Sequence, residues 1–222
     1  MKYVMSDIHG NFNKYIEMLN LINFTEEDEL YILGDIFDRG SQPLDILEHI
    51  MKHKNIHLIK GNHEEMYVEC YEDGFRDVYN WFCNGGVRTF EQIINKGNFY
   101  MDSVYKYISK LPYIKIIDKF ILVHAGLYLP SNLNELTLHE LLDFQDEDNC
   151  LWTRANIGKE RSFKDYIIVS GHSSVQSIEE DSNKIIHRDG HIYIDCGLQT
   201  SPKNGRLSCL RLDDMKEFYI EK

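Results

Sequence analysis

Short apolar runs alternate with segments of helical period along the first third of the chain. "KYVM" reads as a strand, "NFNKYIEMLNLI" sets Phe12, Ile16 and Leu19 at helical spacing, and "ELYILGD" is a second strand that ends on Asp35. In "SQPLDILEHIMKH" the spacing predicts a helix with Ser41 as N-cap and Pro43 in the first turn, its inner face carrying Leu44, Leu47, Ile50 and Met51. "NIHLIKGNHE" then supplies a third strand followed by a loop. This β-α-β-α-β order predicts a parallel sheet with crossover helices.

From residue 64 to about 111 the pattern changes to helices broken by "CNGG" and "NKGN", with Gly85, Gly86 and Gly97 as stops. "YIKIID" and "KFILVHAG" predict an antiparallel pair joined near Asp118 and Lys119. The last third is mostly strands: "DYIIVSGH", "NKIIHRDGHIYIDCG", "RLSCLRLDD" and "KEFYIEK", with turns at Asp189-Gly190 and Asp213-Asp214. No repeat, low-complexity tract or linker interrupts the chain. The expectation is one α/β domain over residues 1–222 with a helical insert at about 64–111.

Composition narrows the setting. The chain has 222 residues, 43% hydrophobic and 27% charged, enough to bury a sizeable core. No stretch reaches the roughly 20 apolar residues of a bilayer span, and no basic and apolar leader precedes Tyr3 and Val4. A cytoplasmic protein without a membrane partner is expected. The formal charge of -12 disfavours a nucleic-acid surface, which needs clustered Lys and Arg. Cys70, Cys83, Cys150, Cys196 and Cys209 are odd in number and far apart, so they read as reduced and mostly buried.

The polar residues carry the chemistry. Asp7 and His9 leave the first strand at i and i+2, so they can converge on one point. Alone, such a pair reads as a turn aspartate beside a surface histidine. The second strand, however, ends in "GDIFDRG" with Asp35, Asp38 and Arg39, and the third in "GNHE" with Asn62 and His63; "LVHAG" and "VSGH" later supply His124 and His172. Each cluster sits where an apolar run stops, which is where open α/β sheets place their sites. Asp, His and Asn suit Mn, Fe or Zn. Two such ions would make a local positive site for phosphate in an acidic chain.

In that order, "DIH", "GDIFDRG", "GNHE", "HAG" and "GH" resemble the phosphoprotein phosphatase group of the metallophosphoesterases, the bacterial and phage type of serine/threonine phosphatase. "LWTR" and "IDCG" resemble later landmarks of the group. The resemblance implies a calcineurin-like β-sandwich flanked by helices and two divalent metal ions, manganese first, with iron or zinc as alternatives. By resemblance Asp7 and His9 hold one metal, Asp35 bridges, and Asn62, His124 and His172 complete the second. His63 is the implied general acid, oriented by Asp38, while Arg39 and Arg154 clamp the phosphoryl oxygens. The implied reaction is in-line attack by a hydroxide bridging the metals on a phosphoprotein or small phosphoester.

Local features choose within the group. "GHSS" places Ser174 where related phosphodiesterases carry a second histidine, and Asp38 with "GNHEE" favours a protein phosphatase over the alternative, a bis(5'-nucleosyl)-tetraphosphatase. Lys60 replaces an arginine of many relatives, which puts one accessory phosphate contact in question. Asp195 reads either as a support for the site or as a turn residue. His49 and His53 fall on a face expected to be solvated, and the insert's aromatic residues read mainly as core. A monomer is a plausible state.

Overall fold

The computed structural model describes residues 1–222. Strands β1 (Lys2–Met5), β2 (Glu29–Ile32) and β3 (Ile56–Leu58) are linked by helices α1 (Phe12–Leu21) and α2 (Pro43–Lys52). They pair in parallel, with Val4 opposite Tyr31 and Ile32 opposite Leu58. Helices α3 (Asn62–Glu72), α4 (Tyr79–Cys83), α5 (Val87–Asn95) and α6 (Asn98–Ile108) follow. Next come the hairpin β4 (Ile114–Ile117) and β5 (Phe120–Val123), a 3-10 turn, and helices α7 (Leu138–Asp143) and α8 (Glu147–Trp152). The chain closes through β6 (Ile167–Ser170), α9 (Val175–Ile178), β7 (Ile186–Arg188), β8 (His191–Tyr193), β9 (Arg206–Arg211) and β10 (Lys216–Glu221).

The strands form two five-stranded sheets, β10-β9-β1-β2-β3 and β4-β5-β6-β8-β7. Alternation along each strand explains the layering, because successive side chains leave opposite faces. In the first sheet Val4, Tyr31 and Leu210 face inward and meet Phe120, Leu122, Val169 and Ile192 of the second. Tyr3, Met5, Leu30 and Ile32 point outward and are covered by α1, α2 and the helices of the insert. Ile121, Val123 and Ile168 point outward from the second sheet and pack on Leu133, Leu141 and Cys150. The result is a β-sandwich with helical cover on each side.

Three local expectations change. Helix α2 is capped at Gln42 rather than Ser41. Gly86 and Gly97 occupy the N-cap positions of α5 and α6, so they begin helices rather than end them. His49 is half-buried: its Nδ1 lies 3.1 Å from the Tyr15 hydroxyl and its ring stacks on His53 at 4.1 Å between centroids. Four cysteines are buried, while Cys83 is exposed. No helix is long and apolar enough to cross a membrane.

Candidate metal centre

Asp7 and His9 follow β1, Asp35 follows β2, Asn62 and His63 follow β3, His124 follows β5 and His172 follows β6. The ends of five strands, the parallel β1, β2 and β3 of one sheet and the parallel β5 and β6 of the other, therefore meet at one edge of the sandwich. The turns that present these side chains are unusual. Asp7, His9, Asp35, Asp38, Arg39 and His172 all have φ between 44° and 67°, a region costly for residues with a Cβ. Such strain persists only where surrounding contacts over-determine it.

Glu64 is one source of that constraint. It is fully buried, and its carboxylate accepts from the backbone N–H groups of Asp35 (2.7 Å), Ile36 (3.0 Å), Phe37 (3.2 Å) and Gly61 (3.0 Å). One side chain thereby ties the loop after β2 to the start of α3. Gly61 is required at that junction, since a Cβ there would run into the backbone and carboxylate of Asp35. Burial lifts the Glu64 carboxyl to about 7 despite those donors. Glu64→Gln puts an amide N–H against backbone N–H groups, and about 2–4 kcal/mol of stability should be lost. Thermal unfolding of the metal-free protein measures it; an unchanged midpoint would remove Glu64 from this bracing role.

At the centre, Asp35 lies between two groups of donors, His9 with His63 and His124 with His172. Its Oδ2 is 3.5 Å from His9 Nε2 and 3.8 Å from His63 Nε2, and its Oδ1 is 3.4 Å from His124 Nε2. Burial, with Asp7 and Glu64 nearby, holds the Asp35 carboxyl well above its usual range. His9 Nδ1 donates to the Phe37 carbonyl (2.8 Å) and His124 Nδ1 to the Leu33 carbonyl (2.6 Å), which leaves each Nε2 lone pair facing inward. Metal-binding histidines are commonly fixed this way.

The donor set fits a cation by several observations. His124 Nε2 faces Asn62 Oδ1 at 2.8 Å, two acceptors turned toward each other. His172 Nε2 is buried without a partner. Burial holds His9, His124 and His172 toward their neutral, lone-pair-bearing forms. A cation already reaches the His9 and His63 group: the Arg39 guanidinium lies 2.6 Å from His9 Nε2 and 3.0 Å from His63 Nε2. Oxygen and imidazole donors of this kind suit Mn, Fe or Zn.

Asp7 also reaches the cluster. Its Oδ1 is 3.9 Å from His9 Nε2, while Oδ2 accepts from the Ser6 hydroxyl and from the His172 backbone N–H at 3.0 Å. His63 Nδ1 lies 2.6 Å from Asp38 Oδ2. Burial lifts the Asp38 carboxyl to about 7, and burial with the Arg39 cation lowers His63.

The cleft over this cluster measures about 210 Å³ and is bordered by Arg39 and Arg154 as its cationic side chains, with Asn84, Ser174, Ser177 and Thr200 around the rim. Trp152 turns its ring edge-on to His172 rather than under Arg154. Lys60 is elsewhere: it is buried and paired with Glu65 at 2.7 Å, so it makes no contribution to the cleft. Asp195 is also buried, its Oδ1 accepting from the Gly197 N–H at 2.8 Å, and burial with the charge of Asp7 lifts its carboxyl well above the usual range.

Comparison with known proteins agrees with this architecture. The family model described as calcineurin-like phosphoesterase matches residues 3–196. Serine/threonine-protein phosphatase 2 of Escherichia coli (strain K12) is 30% identical over 222 residues, covering 95% of this chain and 92% of that protein. A symmetrical bis(5'-nucleosyl)-tetraphosphatase of Wigglesworthia glossinidia brevipalpis is 30% identical over 146 residues, 60% of this chain but only 47% of that protein. The cold-active protein-tyrosine phosphatase of a psychrophilic Shewanella species superposes with a TM-score of 0.66 at 18% identity, covering 98% of this chain and 79% of that one. At that identity the superposition speaks to fold alone.

Proposed function

The chain belongs to the calcineurin-like phosphoesterase family of metal-dependent hydrolases, and on that footing we propose that it is a phosphomonoesterase acting on phosphoserine or phosphothreonine in proteins. The observation that carries the substrate class is the buried Asp38–His63 pair beside Asp35. A serine alkoxide is a poor leaving group and needs a proton as the P–O bond breaks, whereas the nucleotide released from a polyphosphate does not. An imidazole tied at Nδ1 to a buried carboxylate, which favours its doubly protonated form, and presenting Nε2 to the cleft answers the first need.

In this reading Asp7, His9 and Asp35 hold one divalent ion and Asp35, Asn62, His124 and His172 the other, with manganese the first ion to test. The ions supply Lewis-acid polarisation of the phosphoryl group and an activated water. The remaining work falls to the chain's own side chains. Arg39 and Arg154 border the cleft from opposite segments and are planar donors suited to equatorial phosphoryl oxygens. Two arginines over about 210 Å³ match one phosphate better than a chain of four. His63 delivers the proton to the leaving oxygen, and Asp38 fixes its ring through Nδ1.

With manganese restored, kcat/KM should be highest for a phosphoserine peptide in a panel that also holds a phosphotyrosine peptide, diadenosine tetraphosphate and an aryl phosphodiester. Dominance of diadenosine tetraphosphate would replace the protein-phosphatase reading with the nucleotide one suggested by the tetraphosphatase relative. Turnover of the diester alone would defeat the phosphomonoesterase reading.

A further inference from the structure

The segment from Trp81 to Thr89 grips the Asp38-Arg39 turn from outside the strand-end motifs. Thr89 Oγ1 accepts the Asp38 backbone N–H at 3.0 Å and donates to Asp38 Oδ1 at 2.6 Å. Trp81 Nε1–H donates to Asp38 Oδ2 at 2.8 Å. The Arg39 N–H bonds the Gly85 carbonyl at 3.3 Å. Gly86 lies flat beneath the Trp81 indole, where a Cβ would strike the ring. Asp38, Trp81 and Thr89 are all buried.

These bonds leave little freedom in where the protons sit. An indole N–H can only donate, and Thr89 Oγ1, already accepting from a backbone N–H, directs its own proton to Oδ1. Both Asp38 oxygens are therefore engaged as acceptors before His63 is considered. The carboxylate form of Asp38 fits all three neighbours, so His63 Nδ1 carries a proton and donates it to Oδ2, and the proton delivered to a leaving oxygen is a second one, on the Nε2 that faces the cleft. Because Asp38 (φ 67°) and Arg39 (φ 62°) are both in the left-handed region, the turn needs such outside contacts to hold its shape.

We propose that Trp81 and Thr89, in the helical insert, are positioning residues for leaving-group protonation, acting through Asp38 on His63. The inference rests on the reading of His63 as general acid. It makes the insert part of the proton-delivery apparatus as well as a wall of the cleft, where Asn84 of the same segment stands.

The test uses the manganese-loaded full chain with a phosphoserine peptide and an activated aryl phosphate. Thr89→Val should lower kcat/KM for the peptide by about 10- to 100-fold and for the aryl phosphate by no more than about threefold. Thr89→Ser, which keeps the hydroxyl, should restore the peptide rate, and Trp81→Phe should repeat the selective loss. Equal losses on both substrates would mean that these side chains serve packing only and would overturn the proposal, as would no loss on either. His63→Ala separates the two levels. If its own loss is not selective, the acid reading fails and the inference falls with it; if it is selective while Thr89→Val and Trp81→Phe are not, only the inference fails.

Discussion

Asp35→Asn is expected to lower kcat/KM by at least about 1000-fold, because it removes the negative charge and one oxygen donor from the only side chain that both histidine groups share. The carboxylate lies 3.4 Å from His124 Nε2 on one side and 3.5 Å from His9 Nε2 on the other. No neighbouring carboxylate takes its place: Asp7 is committed at Oδ2 to Ser6 and the His172 backbone, and Asp38 faces Thr89 and Trp81. Metal analysis should therefore show one ion lost and the other weakened. Stability should move in the opposite sense. Burial, Asp7 and Glu64 disfavour the Asp35 charge, and a buried charge without its cation destabilises the folded chain. The metal-free variant should thus melt no lower than the metal-free parent. A variant that keeps both ions and its activity would dismiss Asp35 as the bridge.

That contrast between function and stability separates what the sequence displays from what it conceals. Asp7, His9, Asp35, Asn62, His63, His124 and His172 stand out because each follows an apolar run, and strands exchange polar for apolar residues where they leave the core. The parallel pairing of β1, β2 and β3 follows from their short crossover helices. The return of β9 beside β1, with Val4 opposite Leu210, joins residues some 200 apart and has no local signature. Glu64 and Glu65 are adjacent and chemically identical; only folding makes one a brace for four backbone N–H groups and the other a partner for Lys60. Lys60 stands where many relatives carry an arginine, yet its ammonium is buried against Glu65 and Tyr113 and does not line the cleft. Trp81 reads as insert core, and it is buried, as is Thr89, which carries no signal in the sequence. Helical period identifies an inward face but cannot say that an indole N–H will find a carboxylate 43 positions earlier. The left-handed turns at Asp38 and Arg39 were equally hidden, since neither residue is a glycine.

His63→Ala should cost about 100- to 10,000-fold in kcat/KM on a phosphoserine peptide and far less on an activated aryl phosphate. The reason is the proton. Once the leaving group is acidic enough to depart as an anion, the metals and arginines carry the transition state and the imidazole has little left to add. Across a series of aryl phosphates the variant's rate should fall more steeply with rising leaving-group pKa than the parent's, while metal content stays the same. Equal losses along the series would place His63 in orienting the metals or the phosphate, a role its 3.8 Å separation from Asp35 makes a real alternative. The same series bounds the contribution of the insert. Thr89 and Trp81 touch Asp38 rather than the cleft, so their effect on leaving-group selectivity passes through His63. Thr89→Val can therefore cost no more selectivity than His63→Ala, and combining the two should add nothing to it.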